Sequence, residues 1–282
     1  MSGLSVDRAA IVSRHPELFR PAWRQRVGPA LVGLLLVALF GFGLWDLGFS
    51  LTKLARGGGQ LVVILEVMLP PDPESWARVV FYLGSLAETL GIAFLGTLVA
   101  AVVAFPVGFL AARNVVASRV VHVLSRRLFD TIRGVDTLIW ALVWINVVGL
   151  GPFAGVLAIA CSDFGAFGKL FSEAIEACDR SAVEGVLSSG GSRLQSVRFG
   201  LLPQVLPVIT SQILYFFESN TRSATIIGIV GAGGIGLHLS EMIRTVEWQQ
   251  VSFIIILLLI TVSGIDFLSS RLRRGLSGVG VK

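Results

Sequence analysis

An all-α, polytopic membrane protein with six membrane-spanning helices is the fold class this sequence predicts, and three observations predict it. Of 282 residues, 54% are hydrophobic and only 15% charged, with a mean hydropathy of +0.80, too apolar for an ordinary water-soluble α/β domain. The apolar residues fall in blocks of spanning length, since about 20 helical residues cross the ~30 Å hydrocarbon layer. The basic residues concentrate in alternate connecting segments, the pattern that sets the orientation of a multi-span chain.

Taken in order, residues 1–26 form an N-terminal segment carrying Arg8, Arg14, Arg20, Arg24 and Arg26. The first span, 27–45, starts too late for a cleavable signal and runs into Trp45 and Asp46 without an A-x-A site, so it reads as an anchor. Residues 46–86 are too long for a turn. Within them the apolar run 61–69 is too short to span and is stopped by Pro70, Pro71 and Pro73. It reads as a helix at the outer interface or capping the bundle, and a helix merely resting on lipid fits the run equally. The core is 87–270, with spans at 87–112, 128–148, 153–167, 206–230 and 251–268, and a tail follows at 271–282. Pro106 and Gly108 are expected to kink or pack the second span. The fourth span is short and carries Cys161 and Asp163, which suits a buried or tilted helix.

With the N-terminus inside, 17 of the 23 basic residues lie in inside segments. Only Lys53, Arg56, Arg78 and Arg244 lie outside, while Arg133 and Arg222 fall within spans. Both termini are therefore expected in the cytoplasm, and the +5 net charge reflects orientation without requiring a nucleic acid. Cys161 and Cys178 fall in span four and an inside loop, and His15, His122 and His238 are scattered, so neither a disulfide nor a metal centre is expected.

The inside segment 169–205 is the most informative connection. Helix formers and charges lie on both sides of Gly190 and Gly191, and Leu202-Pro203 stands just before span five. Glycine ends one helix and lets another start at a new angle, and proline is tolerated in a first turn. Two short helices across the membrane surface are predicted, a docking face for a soluble partner unless the segment is only a solvated connector. The spacing Glu184, Gly190, Leu202-Pro203 resembles the cytoplasmic E-A-A-x3-G-x9-I-x-L-P loop of bacterial ABC importer permeases, with Gly185, Val186 and Gly200 departing from it. "LPPD" at 69–72, "ETL" at 88–90, "AARN" at 111–114, "GLGPFAGVLA" at 149–158, "GKLFSEAIE" at 168–176, "LLPQVLP" and "VGAGGIG" resemble the phosphonate-type subgroup of those permeases. The resemblance implies the type I ABC importer permease fold in a bacterial inner membrane, with Glu184, Gly190, Leu202 and Pro203 in the ATPase-coupling loop. It also implies a homodimer with a second copy, two cytosolic ATPase subunits and an extracytoplasmic solute-binding protein. The solute would be a phosphonate or phosphite-like oxyanion, with phosphate or methionine as alternatives.

The glycines Gly231, Gly233, Gly234 and Gly236 satisfy G-x-G-x-x-G, the opening of a dinucleotide-binding turn. That fold also needs a flanking strand and, about 20 positions on, an acidic residue ending a second strand. Here the residues before the turn continue span five, and those after Glu247 are another membrane-length run. The glycines instead end span five and permit close packing. By the resemblance they lie at the outer end of the path, as a gate or binding-protein contact or as loop geometry alone.

Glu218, Asn220 and Arg222 lie near the middle of span five, where one charge costs about 2.5–3.5 kcal/mol on insertion scales, so they do not face lipid. Glu218 and Arg222 are four apart on one helix face in the favourable acid-before-base order and can form an internal pair. Two readings follow: a bundle-stabilising ion pair, or a partly neutralised arginine in a wet pathway, whose planar fork suits phosphonate oxygens. Asp136, deep in span three, is a secondary pathway candidate; Asp130 and Glu88 lie nearer span ends. "GAFGKL" lacks the spacing and hydroxyl residue of a P-loop, so the chain is read as a non-enzyme without a cofactor, with ATP and magnesium held by the partner ATPases. A membrane-bound NAD enzyme and a secondary transporter without ATPases are the remaining alternatives.

Overall fold

Every regular element among the described residues is helical, in a computed structural model that describes residues 23–115 and 118–277. Most of the 1–26 segment, with His15, and Lys282 of the tail lie outside the described residues. The chain divides into two units, Met1–Val63 and Ile64–Lys282. The first contains α1 (Trp23–Asp46), with apolar residues on every side as a lipid-facing span requires, and most of α2 (Leu51–Val67). The apolar run beginning at residue 61 is thus the second half of a helix that starts ten residues earlier and continues through Gly57, Gly58 and Gly59.

The second unit is a helical bundle: α3 (Trp76–Ala111), α4 (Arg119–Arg133), α5 (Thr137–Val148), α6 (Pro152–Glu176), α7 (Arg180–Ser188), α8 (Arg193–Gln195), a π-helical turn (Ser196–Leu201), α9 (Leu202–Ile229), α10 (Ile235–Arg244) and α11 (Trp248–Ser277). Helices α1, α3, α6, α9 and α11 are each long and apolar enough to cross a membrane; α4 and α5 pass the same test only together and are bent by 85° at their break, as a broken span or a re-entrant loop. Span three, expected to be continuous over 128–148, is therefore divided. Gly134 caps α4, and the Asp136 carboxylate accepts the Leu138 amide as the N-cap of α5. A short acid that bonds its own backbone favours a helix start over a helix interior.

Small residues let α3 and α6 approach closely. A Cβ on Gly96 would lie 2.7 Å from Ile159, and one on Gly108 would lie 3.1 Å from Phe171. In lipid, where apolar burial alone gives helices little reason to associate, such close approach is what holds them together. Around this seam, Ala100, Ala104, Phe167, Phe171, Val205 and Ile209 form one core cluster, and Ile92, Ala158, Ile159, Ala224 and Ile227 another. At the far end of α3, buried Gln250 accepts hydrogen bonds from Arg78 and from the Tyr82 hydroxyl at 2.6 Å, and donates to Glu74 at 3.0 Å. These bonds tie residues 74–82 to the start of α11.

Candidate functional site

Helix α9 continues directly from the π-helical turn, the Leu202 amide bonding back to the Val197 carbonyl, and Pro203, which has no N–H to donate, falls at that junction. It carries three of the polar residues expected to matter, and the structure separates them. Asn220 is 5% exposed; its amide donates to Thr97 of α3 at 2.8 Å and to Asp163 of α6 at 2.5 Å, while Thr97 donates to Ala93. This polar knot joins three helices inside the bundle, so Asn220 does not line an open wall.

Glu218 and Arg222 do not pair with each other. Glu218 accepts from Arg273 of α11 at 2.6 Å, with side chains 12% and 25% exposed respectively. Arg222 faces Asp266 of α11 at a looser 3.5 Å, with the two side chains 48% and 42% exposed. The i,i+4 spacing is overridden because α11 presents an opposite charge to each residue. Asp266 was missed in the sequence, although a lone acid inside a span is itself the signal. Asp136 sits on the exposed surface of the α4–α5 break.

Between α9 and α10 the glycines form a turn gripped from three sides, and no strand precedes it. Glu88 of α3 accepts the Gly234 amide at 3.1 Å, and the buried Thr89 hydroxyl accepts the Ile235 amide at 2.8 Å. These side chains satisfy orphan donors at the start of α10, a capping task done here from another helix. Gly231 accepts from the Gly151 amide at 3.0 Å. Gly234 has φ +73°, and a Cβ there would lie 2.3 Å from the Thr89 hydroxyl, so the position requires glycine both in backbone and in space. Gly236 is closed by packing, its added Cβ falling 1.9 Å from the Thr225 carbonyl oxygen.

At the other end, segment 177–203 folds as the two short helical pieces expected. Asp179 caps α7, accepting from the Ser181 hydroxyl at 2.6 Å and its amide at 2.9 Å, and those bonds hold the Asp179 carboxyl below the ordinary carboxylate range. Gly190, at φ +88°, ends α7 by bonding its amide to Leu187, while the Gly191 amide returns to Val186. Ser192 and Gln195 then form a reciprocal capping box. The Gln204 side chain accepts from the Asp179 amide at 3.0 Å and donates to the carbonyls of Asp179 and Gly200. Gly200 departs from the isoleucine of the resembled pattern for a visible reason: a Cβ would lie 2.9 Å from Val183 Cα of α7. Glu184, Leu187, Leu194 and Phe199 are exposed on this segment. A cleft of about 390 Å³ beside it is lined by Arg113, Asn114, Arg180, Glu184 and Leu187, among others.

Five helices long and apolar enough to span plus the bent α4–α5 pair, with a capped amphipathic segment interposed before α9, define a polytopic membrane subunit of the type I ABC importer permease fold. A chain of the inward-facing MetNI methionine ABC transporter superposes with a TM-score of 0.62 at 20% identity, over 72% of this chain and 99% of that one. A chain of a bacterial alginate ABC importer superposes at 0.58 with 13% identity, covering 89% and 98%. Residues 104–277 match the family of binding-protein-dependent transport system inner membrane components, and the chain belongs to that family. It is a family of transport permeases, not of enzymes. Among sequence relatives, the permease protein HtxC of Stutzerimonas stutzeri is 39% identical over 221 residues, covering 78% of this chain and 77% of that protein. The phosphite transport system permease protein PtxC of the same organism is 35% identical over 256 residues, covering 89% and 90%. The phosphate-import permease PhnE of Mycolicibacterium smegmatis is 34% identical over 231 residues, covering 82% of this chain and 43% of the longer relative. The chain is thus a multi-pass inner-membrane protein and the permease of a binding-protein-dependent ABC importer, which works with an ATPase and a solute-binding protein.

Proposed function

We propose that this chain forms the membrane pathway of an ATP-driven importer for a small phosphorus oxyanion, a phosphonate or phosphite. The observation that carries the solute class is the similarity to a phosphite permease along nine-tenths of both chains. In this reading two copies of the chain enclose the pathway. Two cytosolic ATPases, which bind the ATP and magnesium, seat against the 169–205 segment of each copy through Glu184, Leu187 and Leu194. Both chain ends face the cytoplasm, and the glycine turn at 231–236 faces outward as the gate or binding-protein contact. Closure of the ATPases moves the docked segments, and the bundle rocks between inward and outward openings. Arg222 supplies the positive field that an oxyanion crosses, with Asp266 rather than Glu218 as its counter-charge.

Phosphate is the second reading, favoured by the 34% identity to a phosphate-import permease. Cells without their own uptake systems, supplied with this chain and its ATPase and binding protein, should accumulate labelled methylphosphonate or phosphite but little phosphate. The reverse preference would transfer the assignment to phosphate. Arg222→Gln should abolish uptake while the assembly still hydrolyses ATP; normal uptake would remove the arginine from the pathway. A cysteine at position 190 labelled from outside intact cells would overturn the orientation.

A further inference from the structure

The two ion pairs between α9 and α11 differ in kind. Glu218 is held by Arg273 at hydrogen-bond distance and is largely covered. Asp266 Oδ1 is shut off from solvent yet makes no hydrogen bond, and Arg222 Nη1 stands 3.5 Å from it. Among the described residues the Arg222 guanidinium donates no hydrogen bond, although its five N–H groups form a fork matched to oxyanions. A buried acceptor left without a donor is a costly state that invites an explanation. Charged groups in a span that are also half exposed do not face lipid, so this pair borders the pathway or the other copy.

We propose that Asp266 is a displaceable counter-anion for Arg222. In this assignment, which rests on the oxyanion-import reading above, two oxygens of the phosphonate or phosphite take the guanidinium fork while the solute passes. The Asp266 carboxylate then competes for the same donors and drives release. A loose pair suits this role: the solute has no strong hydrogen bond to break on arrival, and the carboxylate remains close enough to replace it on departure. Arg222 therefore never holds the anion as tightly as an uncompensated arginine would.

The test is a phosphorus NMR titration of the purified permease–ATPase complex with methylphosphonate and with phosphite, alongside ATP-driven uptake by the complete system in proteoliposomes. Asp266→Asn should tighten anion binding about fivefold, the worth of a half-exposed ion pair, and slow turnover at saturating loaded binding protein. Asp266→Glu, one methylene longer, should close the 3.5 Å gap and weaken binding. Opposite shifts from these two variants are not expected of a carboxylate that only braces the bundle. If Asp266→Asn fails to insert, Asp266→Glu decides alone. Unchanged affinity in the variants recovered, with wild-type uptake intact, overturns the displacement role and leaves the importer reading standing. A wild-type complex that neither binds nor carries either anion overturns both.

Discussion

The glycine turn at 228–236 and the segment at 177–203 are both glycine-punctuated connections flanking the same helix, α9, yet they are built on opposite terms. In the turn, an added Cβ on Gly228 would lie 2.5 Å from the Gly233 carbonyl oxygen, and those on Gly234 and Gly236 come closer still to other atoms. In the segment, Gly185 and Gly190 have nothing within 4 Å of an added Cβ, and Glu184, Leu187 and Leu194 are exposed. The turn is fixed by its neighbours, whereas the segment is shaped by its own caps. The first kind of construction suits the gate proposed for the turn, and the second suits the docking face proposed for the segment.

The largest effect is expected in the turn. Gly236→Ala forces its new methyl against the Thr225 carbonyl, backbone on a packed helix that has no rotamer by which to yield. Overpacking of this severity costs roughly 3 kcal/mol or more, seen as lost protein in the membrane or a lower melting temperature in detergent. Melting unchanged from wild type would show that the turn is not closed by packing. Thr89→Val should come next, because it leaves the buried Ile235 amide without its acceptor, at a cost of about 1–3 kcal/mol. Glu88→Gln keeps a carbonyl acceptor for the Gly234 amide and should melt near wild type, so the two variants separate a structural cap from any role for the Glu88 charge.

How much of this was legible in sequence follows the same division. The spans could be read because membrane insertion imposes a length and a composition on each helix, and the segment because caps and glycines act locally: Gly190 ends α7 wherever α7 lies. The break in span three left a signal in Gly134 and Asp136, beside Asp130 and Arg133, but a span drawn by length alone over 128–148 runs through it. The partners of Glu218 and Arg222 were not legible locally because Arg273 and Asp266 lie 55 and 44 residues further along the chain. Local spacing describes which charges share a helix face. Which charge meets which is decided by the neighbouring helix. Glu88 and Thr89 could not have been matched to the glycine turn for the same reason.

On the segment side, Asp179→Ala removes the cap of α7 and should weaken ATPase capture several-fold in a pull-down while the bundle melts as before. Because the folded-state carboxyl titrates below its unfolded value, its contribution is complete above the ordinary carboxylate range and is lost as pH falls through and below that range. Capture should therefore be insensitive to Asp179 titration near neutrality. A decline between pH 8 and pH 6 that vanished in Asp179→Ala would contradict the cap assignment.

The smallest effect is the sharpest test of the contrast. Gly185 stands where the resembled loop pattern has alanine, in the interior of α7, with open space around it and an ordinary helical backbone. Glycine in a helix interior costs up to ~1 kcal/mol relative to alanine through backbone entropy, so Gly185→Ala should stiffen α7 slightly and leave uptake at or above the wild-type level. Alanine is the same substitution that breaks the turn at Gly236, so the difference between the two outcomes isolates the surroundings from the chemistry of the change. If Gly185→Ala instead abolished uptake while ATPase capture survived, the freedom of that glycine would itself be part of the coupling motion, and the segment would be a hinge rather than a preformed face.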